Sequence, residues 1–404
     1  MHDGEAPAPA QPSHRPGGPG HGGRRASRRP RASFSMQISP AGFIALAFGL
    51  SRLVVVAALA VSPWVVPPAT PLWDLEEPLL RPLFRWDAGW YLNIAQHGYA
   101  YNGNPAQEQN LVFLPLYPLA CRLCHRGTGL SLPRCGVLLS NLAFLAALAA
   151  LYALTARELG PAVARDAVLL LAFFPTSFVF SAMYTEACYL ALSLFAWAAF
   201  RRQRWLVGGL WAGLASATRV PGILLVVPLL CEGLPGVTAR RQWGRLLLAC
   251  GLAGSGLAGF MLYEWVAFGD PLAHVRLQVQ AWGMGFAWPF RGLAGGLKRT
   301  GAAPFSPLAV QAWLGLLFMA AVGVLPRHLP RSYAAYTVGS LALALCTRAG
   351  VWSLARYLQV LFPGFMALGL LGQRSRPLFW ALLGIFTLTL VLLTMRYAQW
   401  HWVA

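Results

Sequence analysis

Leu80–Pro118 reads LRPLFRWDAGWYLNIAQHGYAYNGNPAQEQNLVFLPLYP and lies between two apolar runs that are each long enough to cross a bilayer. It is the long segment of the first half of the chain that is aromatic, polar and carboxylate-bearing at once. Helical spacing places Trp86, Trp90, Asn93 and His97 on one stripe, which predicts a short interfacial helix with Asp87 at its start. We therefore interpret this stretch as an active-site loop at a membrane surface.

The composition is that of a membrane protein. Of the 404 residues, 57% are hydrophobic and only 11% are charged, and several apolar runs are too long for a soluble core. Lys and Arg outnumber Asp and Glu by 32 to 13, but the arginines recur singly or in small groups between apolar segments. This distribution indicates membrane topology and argues against a nucleic-acid partner. The sequence therefore predicts an all-α polytopic membrane protein.

About eleven apolar runs predict membrane spans. They cover residues 41–66, 136–157, 166–183, 186–200, 205–218, 221–234, 246–266, 307–325, 332–346, 357–371 and 378–395. Arginines concentrate at alternate connections, namely Arg157 with Arg165, Arg201 with Arg202 and Arg204, Arg240 with Arg241 and Arg245, Arg327 with Arg331, and Arg374 with Arg376. These connections are predicted to be cytoplasmic, which places Thr218 and Arg219 at or just below the outer surface.

The first apolar run separates two predicted regions. It is too long for the apolar part of a cleaved signal peptide, so we interpret it as a retained span. Residues 1–38, rich in Pro, Gly and Arg, predict a disordered, basic cytoplasmic tail. Residues 39–404 then form one transmembrane domain with a first outer loop at 67–135 and a later outer loop at 267–306.

Most carboxylates outside the tail fall on the outer side of this topology. Three are predicted to face the cytoplasm, namely Glu158, Asp166 and Glu232. The outward-facing ones are Asp74, Glu76, Glu77, Asp87, Glu108, Glu186, Glu264 and Asp270. Any chemistry that needs a carboxylate is therefore predicted on the non-cytoplasmic side.

Asp87 and Glu186 are the candidate catalytic carboxylates, and each has two interpretations. Asp87 fits an N-cap of a helix beginning at Ala88, and it also fits a general base that accepts a proton from an acceptor hydroxyl. Glu186 suits the positive end of a helix that Thr185 caps. An ionisable residue at membrane depth is nevertheless costly, which favours a functional role for Glu186.

Three arginines lie on the predicted outer side, against the preference of the others. Snorkelling to the interface explains each of Arg219, Arg348 and Arg356, but Arg356 least well, because it precedes a span at the helix end that disfavours a cation. An anionic partner removes this conflict, and a guanidinium offers the forked donors that a phosphate needs. We therefore predict a lipid-phosphate site at these arginines, with Arg356 and Arg219 ranked above Arg348.

The segment GDPLAHVRLQVQAWG, residues 269–283, predicts a further helix of the outer loop. Asp270 before Pro271 opens it, and His274 and Gln278 share one face. We expect these three polar side chains to line the outer cavity, although capping alone also explains Asp270. No H-x-x-x-H or D-x-D spacing occurs, so no tightly bound metal is predicted.

The cysteines offer a weak signal only. Cys121, Cys124 and His125 spell C-x-x-C-H, which we interpret as a coincidence rather than as haem attachment. A disulfide between Cys121 and Cys124, or between Cys124 and Cys135, is compatible with the spacing, and the sequence leaves the oxidation state open.

Several segments together resemble the PIG-V family, the second mannosyltransferases of glycosylphosphatidylinositol-anchor assembly and their bacterial relatives. In order they are RWDAGWYLNIAQHGY, FLPLYP, SAMYTE, ATRVPGIL, GDPLAHVRLQVQAWG, WSLARYLQVLFP and YAQWHWVA. The likeness runs from about residue 45 to the end of the sequence. It implies a helical GT-C-type membrane glycosyltransferase that takes mannose from a polyprenyl- or dolichyl-phosphate sugar, on the non-cytoplasmic face.

The resemblance also implies site residues. The family's tryptophan–aspartate pair falls on Trp86 and Asp87, its tyrosine-x-glutamate on Tyr184 and Glu186, and its arginine–tyrosine on Arg356 and Tyr357. Abundant Arg, Ala and Gly with the single lysine Lys298 suggests a high-GC bacterial genome, and hence a bacterial plasma membrane.

The combined hypothesis is an inverting hexosyl transfer. Asp87 would be the base, Glu186 would orient hydroxyls, and Trp86, Trp90 and Tyr91 would offer flat faces to sugars. The expected partners are a lipid-linked sugar donor, a glycan or glycolipid acceptor and membrane lipid, with no tightly bound cofactor. Two alternatives remain, a transporter or flippase of a lipid-linked glycan and a non-catalytic membrane subunit of a glycosyltransferase complex.

Overall fold

Serine and proline open four of the five long apolar helices found in the described part of the chain. Ser39, Ser131, Ser306 and Ser375 are the N-caps, and each side-chain oxygen accepts a hydrogen bond from a backbone N–H of the first turn. A proline follows within two residues, where its missing N–H costs nothing. Local sequence therefore fixes where these helices begin.

The computed structural model describes residues 38–300, 306–348 and 351–403. The α-helices in this part of the chain are α1 (Pro40–Val65), α2 (Asp87–His97), α3 (Leu116–Thr128), α4 (Leu132–Leu159), α5 (Pro161–Ala172), α6 (Glu186–Phe200), α7 (Trp205–Ser216), α8 (Val226–Gly233), α9 (Arg240–Phe268), α10 (Ala273–Gln280), α11 (Pro289–Thr300), α12 (Pro307–Val322), α13 (Arg331–Leu345), α14 (Leu354–Leu358), α15 (Phe362–Arg374) and α16 (Arg376–Ala398). Extended pairing within these residues is limited to an isolated antiparallel bridge between Phe286 and Thr347. The predicted tail, apart from Ile38, lies outside the described residues.

The predicted helical membrane fold is confirmed. Helices α1, α4, α9 and α16, and the stretch Pro307–Arg327 that contains α12, are long and apolar enough to cross a bilayer. Three predicted spans are not single helices. The run 357–371 is interrupted at residues 359–361, between α14 and α15. The run 166–183 breaks after Ala172, and the run 221–234 combines a 3₁₀ turn, Val220–Leu225, with the short helix α8.

A buried arginine holds the break between α5 and α6. The Arg52 guanidinium, on α1, donates to the carbonyl oxygen of Ser177 at 2.9 Å, to the Ser177 hydroxyl at 3.0 Å and to the Ser181 hydroxyl at 2.9 Å. Irregular backbone at membrane depth requires such internal partners, because lipid offers none. The unwound segment carries the chain to Tyr184 and Glu186, the start of α6.

Helices α7 and α9 approach closely because their contact surface is lined by glycine. A methyl group at Gly213 would lie 2.3 Å from the carbonyl oxygen of Leu252, and one at Gly256 would lie 2.1 Å from the carbonyl oxygen of Gly213. Small residues permit such backbone contact in membrane bundles. This packing fixes the end of α7, from which Arg219 follows.

The ends of α4, α6 and α8 are tied together by ion pairs. Arg201 lies 2.9 Å from Glu158 and 2.7 Å from Glu232. Arg376, at the start of α16, lies 2.6 Å from Asp166 on α5. Residues from three of the predicted cytoplasmic connections thus form ion pairs. Glu186 begins α6 and Arg201 follows its end, so the helix separates these contacts from the candidate site.

Candidate active site

Four charged side chains from four parts of the chain lie in contact. Two of them begin α2 and α6, one follows α7 and one lies in α14. We call Asp87, Glu186, Arg219 and Arg356 the charge cluster. Arg356 Nη1 lies 2.7 Å from Asp87 Oδ2, and Arg356 Nη2 lies 2.7 Å from Glu186 Oε1. Arg219 Nη1 lies 2.6 Å from the same Glu186 oxygen. The cluster balances two guanidinium groups against two carboxylates.

Asp87 is the first residue of α2, but the structure does not use it as a cap. The helix begins at Asp87 rather than at Ala88, and Trp86 occupies the N-cap position with a left-handed φ of 53°. The carboxylate of Asp87 pairs with Arg356, and its side chain is 27% exposed. The capping interpretation is therefore replaced by an ion pair that leaves the carboxylate accessible.

Glu186 is fully buried at the start of α6, between the two arginines. The expected cap is absent, because the Thr185 side chain makes no capping hydrogen bond. Its hydroxyl lies 3.2 Å from both Arg219 Nη1 and the Tyr91 hydroxyl. Burial raises the pKa of Tyr91, and the negative charge of Glu186 raises it further, so Tyr91 stays protonated.

Aromatic rings support both guanidinium groups of the charge cluster. The Arg356 guanidinium carbon lies 4.7 Å from the centre of the Tyr184 ring, and that of Arg219 lies 5.6 Å from the centre of the Tyr357 ring. The hydroxyl of Tyr184 in turn donates to the carbonyl oxygen of Arg85 at 3.0 Å. The tyrosines implied by the resemblance thus hold the arginines and the start of α2 in place.

The charge cluster opens into a cavity of about 1170 Å³. The predicted site residues that line it are Trp86, Asp87, Trp90, Tyr91, Asn93, Arg219, Gln278, Arg348, Arg356 and Tyr357. Glu186 and Tyr184 do not line it, but both contact Arg356, which does. The structure thus places the candidate base at the cavity and the second carboxylate behind it.

Three further residues expected at the cavity do not line it. The backbone N–H of His274 donates to Glu264 Oε1 at 2.9 Å, and its Nδ1 lies 2.6 Å from Glu264 Oε2, so the imidazole is buried between α9 and α10. Asp270, which precedes α10, lies 2.9 Å from Arg276 on that helix. His97 is exposed at the last residue of α2. Ion pairing accounts for the positions of His274 and Asp270, and the register of α2 accounts for that of His97.

The cavity wall also contains aromatic residues that were not predicted. They are Trp73, Phe113, Trp282, Trp352 and Trp402. Trp90 stacks on Phe113 at 6.1 Å, and Trp352 packs on Trp402 at 4.2 Å between ring centres. The tryptophan content of the predicted outer loops was the available signal, but sequence alone does not show which rings face inward.

The described residues contain neither a candidate metal site nor a disulfide. No group of three or more His, Cys, Asp and Glu side chains suited to hold a metal occurs among residues 38–300, 306–348 and 351–403. All seven cysteines are free thiols, including Cys121, Cys124 and Cys135. The His125 imidazole contacts the carbonyl oxygen of Leu130 at 2.6 Å.

Part of the chain matches a known protein family. Residues 52–238 match the model of the family described as mannosyltransferase (PIG-V). The resemblance to the PIG-V family is confirmed. The matched region contains Asp87, Glu186 and Arg219, whereas Arg348 and Arg356 lie beyond it.

Two curated relatives are both named as the second GPI mannosyltransferase. The chain is 34% identical to GPI alpha-1,6-mannosyltransferase 2 of Rattus norvegicus over 43% of this chain and 37% of that protein. It is 32% identical to GPI mannosyltransferase 2 of Cryptococcus neoformans over 48% of this chain and 47% of that protein. The chain therefore spans less than half the length of these relatives.

A solved structure supports the fold. ArnT from Cupriavidus metallidurans, determined with undecaprenyl phosphate bound, superposes with a TM-score of 0.50 and 17% sequence identity, over 86% of this chain and 63% of ArnT. At this identity the likeness concerns the fold alone. The predicted GT-C-type helical bundle is confirmed, and with its apolar helices the chain is an integral membrane protein.

Proposed function

We propose that this protein is an inverting GT-C mannosyltransferase that uses a polyprenyl- or dolichyl-phosphate sugar and a lipid-linked or glycan acceptor. One observation carries the proposal. Asp87 is partly exposed at the wall of a large cavity while Arg356 fixes its carboxylate at 2.7 Å. A general base needs both properties, because it must stay ionised and must reach the hydroxyl that it deprotonates.

The proposed reaction is a single displacement at the anomeric carbon. The acceptor hydroxyl passes its proton to Asp87 as its oxygen forms the new glycosidic bond. The bond between the anomeric carbon and the donor's phosphate oxygen breaks, and the lipid phosphate leaves with the electron pair. Attack from the face opposite the leaving group inverts the configuration, and cationic side chains in the cavity stabilise the developing phosphate charge.

Glu186 takes a different role from the one first expected. Because it is fully buried and contacts both Arg219 and Arg356, we assign it as a positioning residue rather than as a direct ligand of hydroxyls. It supplies the negative charge that keeps the two guanidinium groups together. Through Arg356 it orients Asp87.

The proposed active side is the non-cytoplasmic face, in a bacterial plasma membrane. The support is the distribution of charge along α6. Arg201 follows its end and pairs with Glu158 and Glu232, in connections rich in arginine, whereas Glu186 begins the helix beside the cavity. The positive-inside rule assigns the arginine-rich end to the cytoplasm.

The proposal is tested by transfer in proteoliposomes with a polyprenyl-phosphate mannose donor and glycolipid extract as acceptor. We expect the wild-type protein to form mannosylated product and the Asp87→Asn variant to form almost none. Wild-type activity in Asp87→Asn would show that another group is the base. Translocation of labelled lipid-linked glycan without a new glycosidic bond would favour a transporter instead.

A further inference from the structure

Both arginines of the charge cluster are already paired with carboxylates. Arg219 and Arg356 both contact Glu186, and Arg356 also contacts Asp87, with all three ion pairs at 2.6 to 2.7 Å. The two guanidinium groups are therefore already neutralised by carboxylates in a largely desolvated site. An incoming phosphate that used them would have to separate buried ion pairs, which is unfavourable unless each is replaced.

Arg348 differs from these two arginines. It lines the same cavity, is exposed, and has no carboxylate partner among the described residues. Glu108, another carboxylate at the cavity wall, does not pair with it in the part of the chain that the structure describes. Arg348 is thus a cavity cation whose charge is available to a ligand.

The backbone holds Arg348 in place. Its N–H donates to the carbonyl oxygen of Gly285 at 2.6 Å, and the N–H of Ala287 donates to the carbonyl oxygen of Cys346 at 2.9 Å. The Arg348 Cδ and Nε atoms lie 3.4 Å from the position that a methyl group would take on Gly285. The side chain therefore runs over a glycine, on a pair of loops that are hydrogen-bonded to each other.

An apolar wall lines the same cavity. Trp352 and Trp402 pack at 4.2 Å between ring centres, and Trp352 is 50% exposed. A phosphate attached to an isoprenoid carries its charge next to an apolar chain. A free guanidinium in a cavity that also has exposed indole surface suits that combination better than it suits inorganic phosphate.

We propose that Arg348 is the ligand of the donor's lipid phosphate, and that Arg356 and Arg219 instead keep Asp87 and Glu186 in position. This inference rests on the proposed function, since it names the residue that recognises the donor. It reverses the ranking that sequence position suggested. Arg348 is a binding residue in this scheme, whereas Arg356 acts on the reaction through Asp87.

The test measures binding rather than transfer. Full-length protein is placed in phosphatidylcholine nanodiscs, and the Kd for undecaprenyl phosphate is measured by native mass spectrometry. We expect Arg348→Gln to raise Kd at least tenfold, and Arg348→Lys to raise it less, because lysine keeps the charge but loses the fork. The matched control is Arg276→Gln, an exposed arginine that pairs with Asp270, and its Kd should stay within twofold of wild type.

Three results would overturn the inference. The first is a wild-type protein that does not bind undecaprenyl phosphate, and the second is an Arg348→Gln variant that binds it as wild type does. The third is Arg348-dependent binding of phosphatidylglycerol or inorganic phosphate that is as tight, because the site would then select any anion. Melting temperatures of the two Arg348 variants should match wild type, since Arg348 has no side-chain partner to lose among the described residues.

The two proposals fail in different ways. If Arg348→Gln binds the lipid normally while Asp87→Asn abolishes transfer, the enzyme assignment stands and the Arg348 site is wrong. If lipid binding depends on Arg348 while wild-type protein forms no glycosidic bond, the site stands and the mannosyltransferase assignment falls.

Discussion

Two nitrogens of Arg356 contact one oxygen of Glu186, since Nε and Nη2 each lie 2.7 Å from Oε1. The third nitrogen, Nη1, lies 2.7 Å from Asp87. A cation at this helix end needs an anionic partner, and the sequence predicts a lipid phosphate for Arg356. The structure supplies two carboxylates instead, so Arg356 links a buried charge to an accessible one.

Asp87→Asn tests the accessible charge. The amide oxygen still accepts from Arg356, so we expect the folded structure to survive, while kcat falls by roughly 10² to 10⁴, the usual contribution of a general base. Transfer in proteoliposomes measures the rate, and a thermal melt in detergent measures the fold. The matched control is Asp74→Asn, an exposed carboxylate of the same loop that pairs with Arg81, for which wild-type activity is expected.

Glu186→Gln tests the buried charge. It leaves Arg219 and Arg356 side by side with only Asp87 to balance them, so we expect a loss of about 3 kcal/mol in the free energy of unfolding. The melting temperature should fall clearly. The double variant Glu186→Gln with Arg219→Gln should recover part of that loss, because it removes the unbalanced cation. A double variant less stable than both single variants would contradict the pairing.

Gly89→Ala tests the packing beneath α2. A methyl group at Gly89 would lie 2.7 Å from Trp73 Cε2, and Trp73 packs edge-on against Trp400 at 5.3 Å between ring centres. We expect lower transfer activity and reduced stability, because the ring or the helix must shift. Gly49→Ala is the control, since the space around Gly49 inside α1 is open, and it should lower neither measurement because alanine favours the helix. Equal behaviour of the two variants would show that Trp73 yields freely.

His274→Ala separates support from catalysis. The imidazole pairs with Glu264 between α9 and α10, so its removal strands a buried carboxylate, and we expect about 3 kcal/mol of destabilisation. Because His274 does not line the cavity, the folded variant should keep kcat within roughly threefold of wild type. The exposed His97→Ala is the control for stability. A collapse of kcat at an unchanged melting temperature would instead place His274 in the chemistry.

The sequence identified the candidate carboxylates but not what they contact. Sequence position suggested that Asp87 is an N-cap and that Thr185 caps the helix of Glu186. In the structure neither cap forms, and both carboxylates form ion pairs with arginines. His274 was expected in the cavity because it shares a helix face with Gln278. Its partner, Glu264, lies ten residues earlier on another helix, and no periodic pattern relates the two.

Hydropathy and composition by themselves indicated the long apolar helices, because a run of apolar side chains acts over neighbouring residues, but they did not show the breaks within 166–183, 221–234 and 357–371. They also marked the outer loop that holds Asp87. Tertiary structure alone decided that Arg356 would neutralise Asp87 and Glu186, which lie 269 and 170 residues away, and that Arg348 would be left without a carboxylate. Charge pairing depends on distances of a few ångströms between segments that only packing brings together, and hydropathy carries no record of those distances.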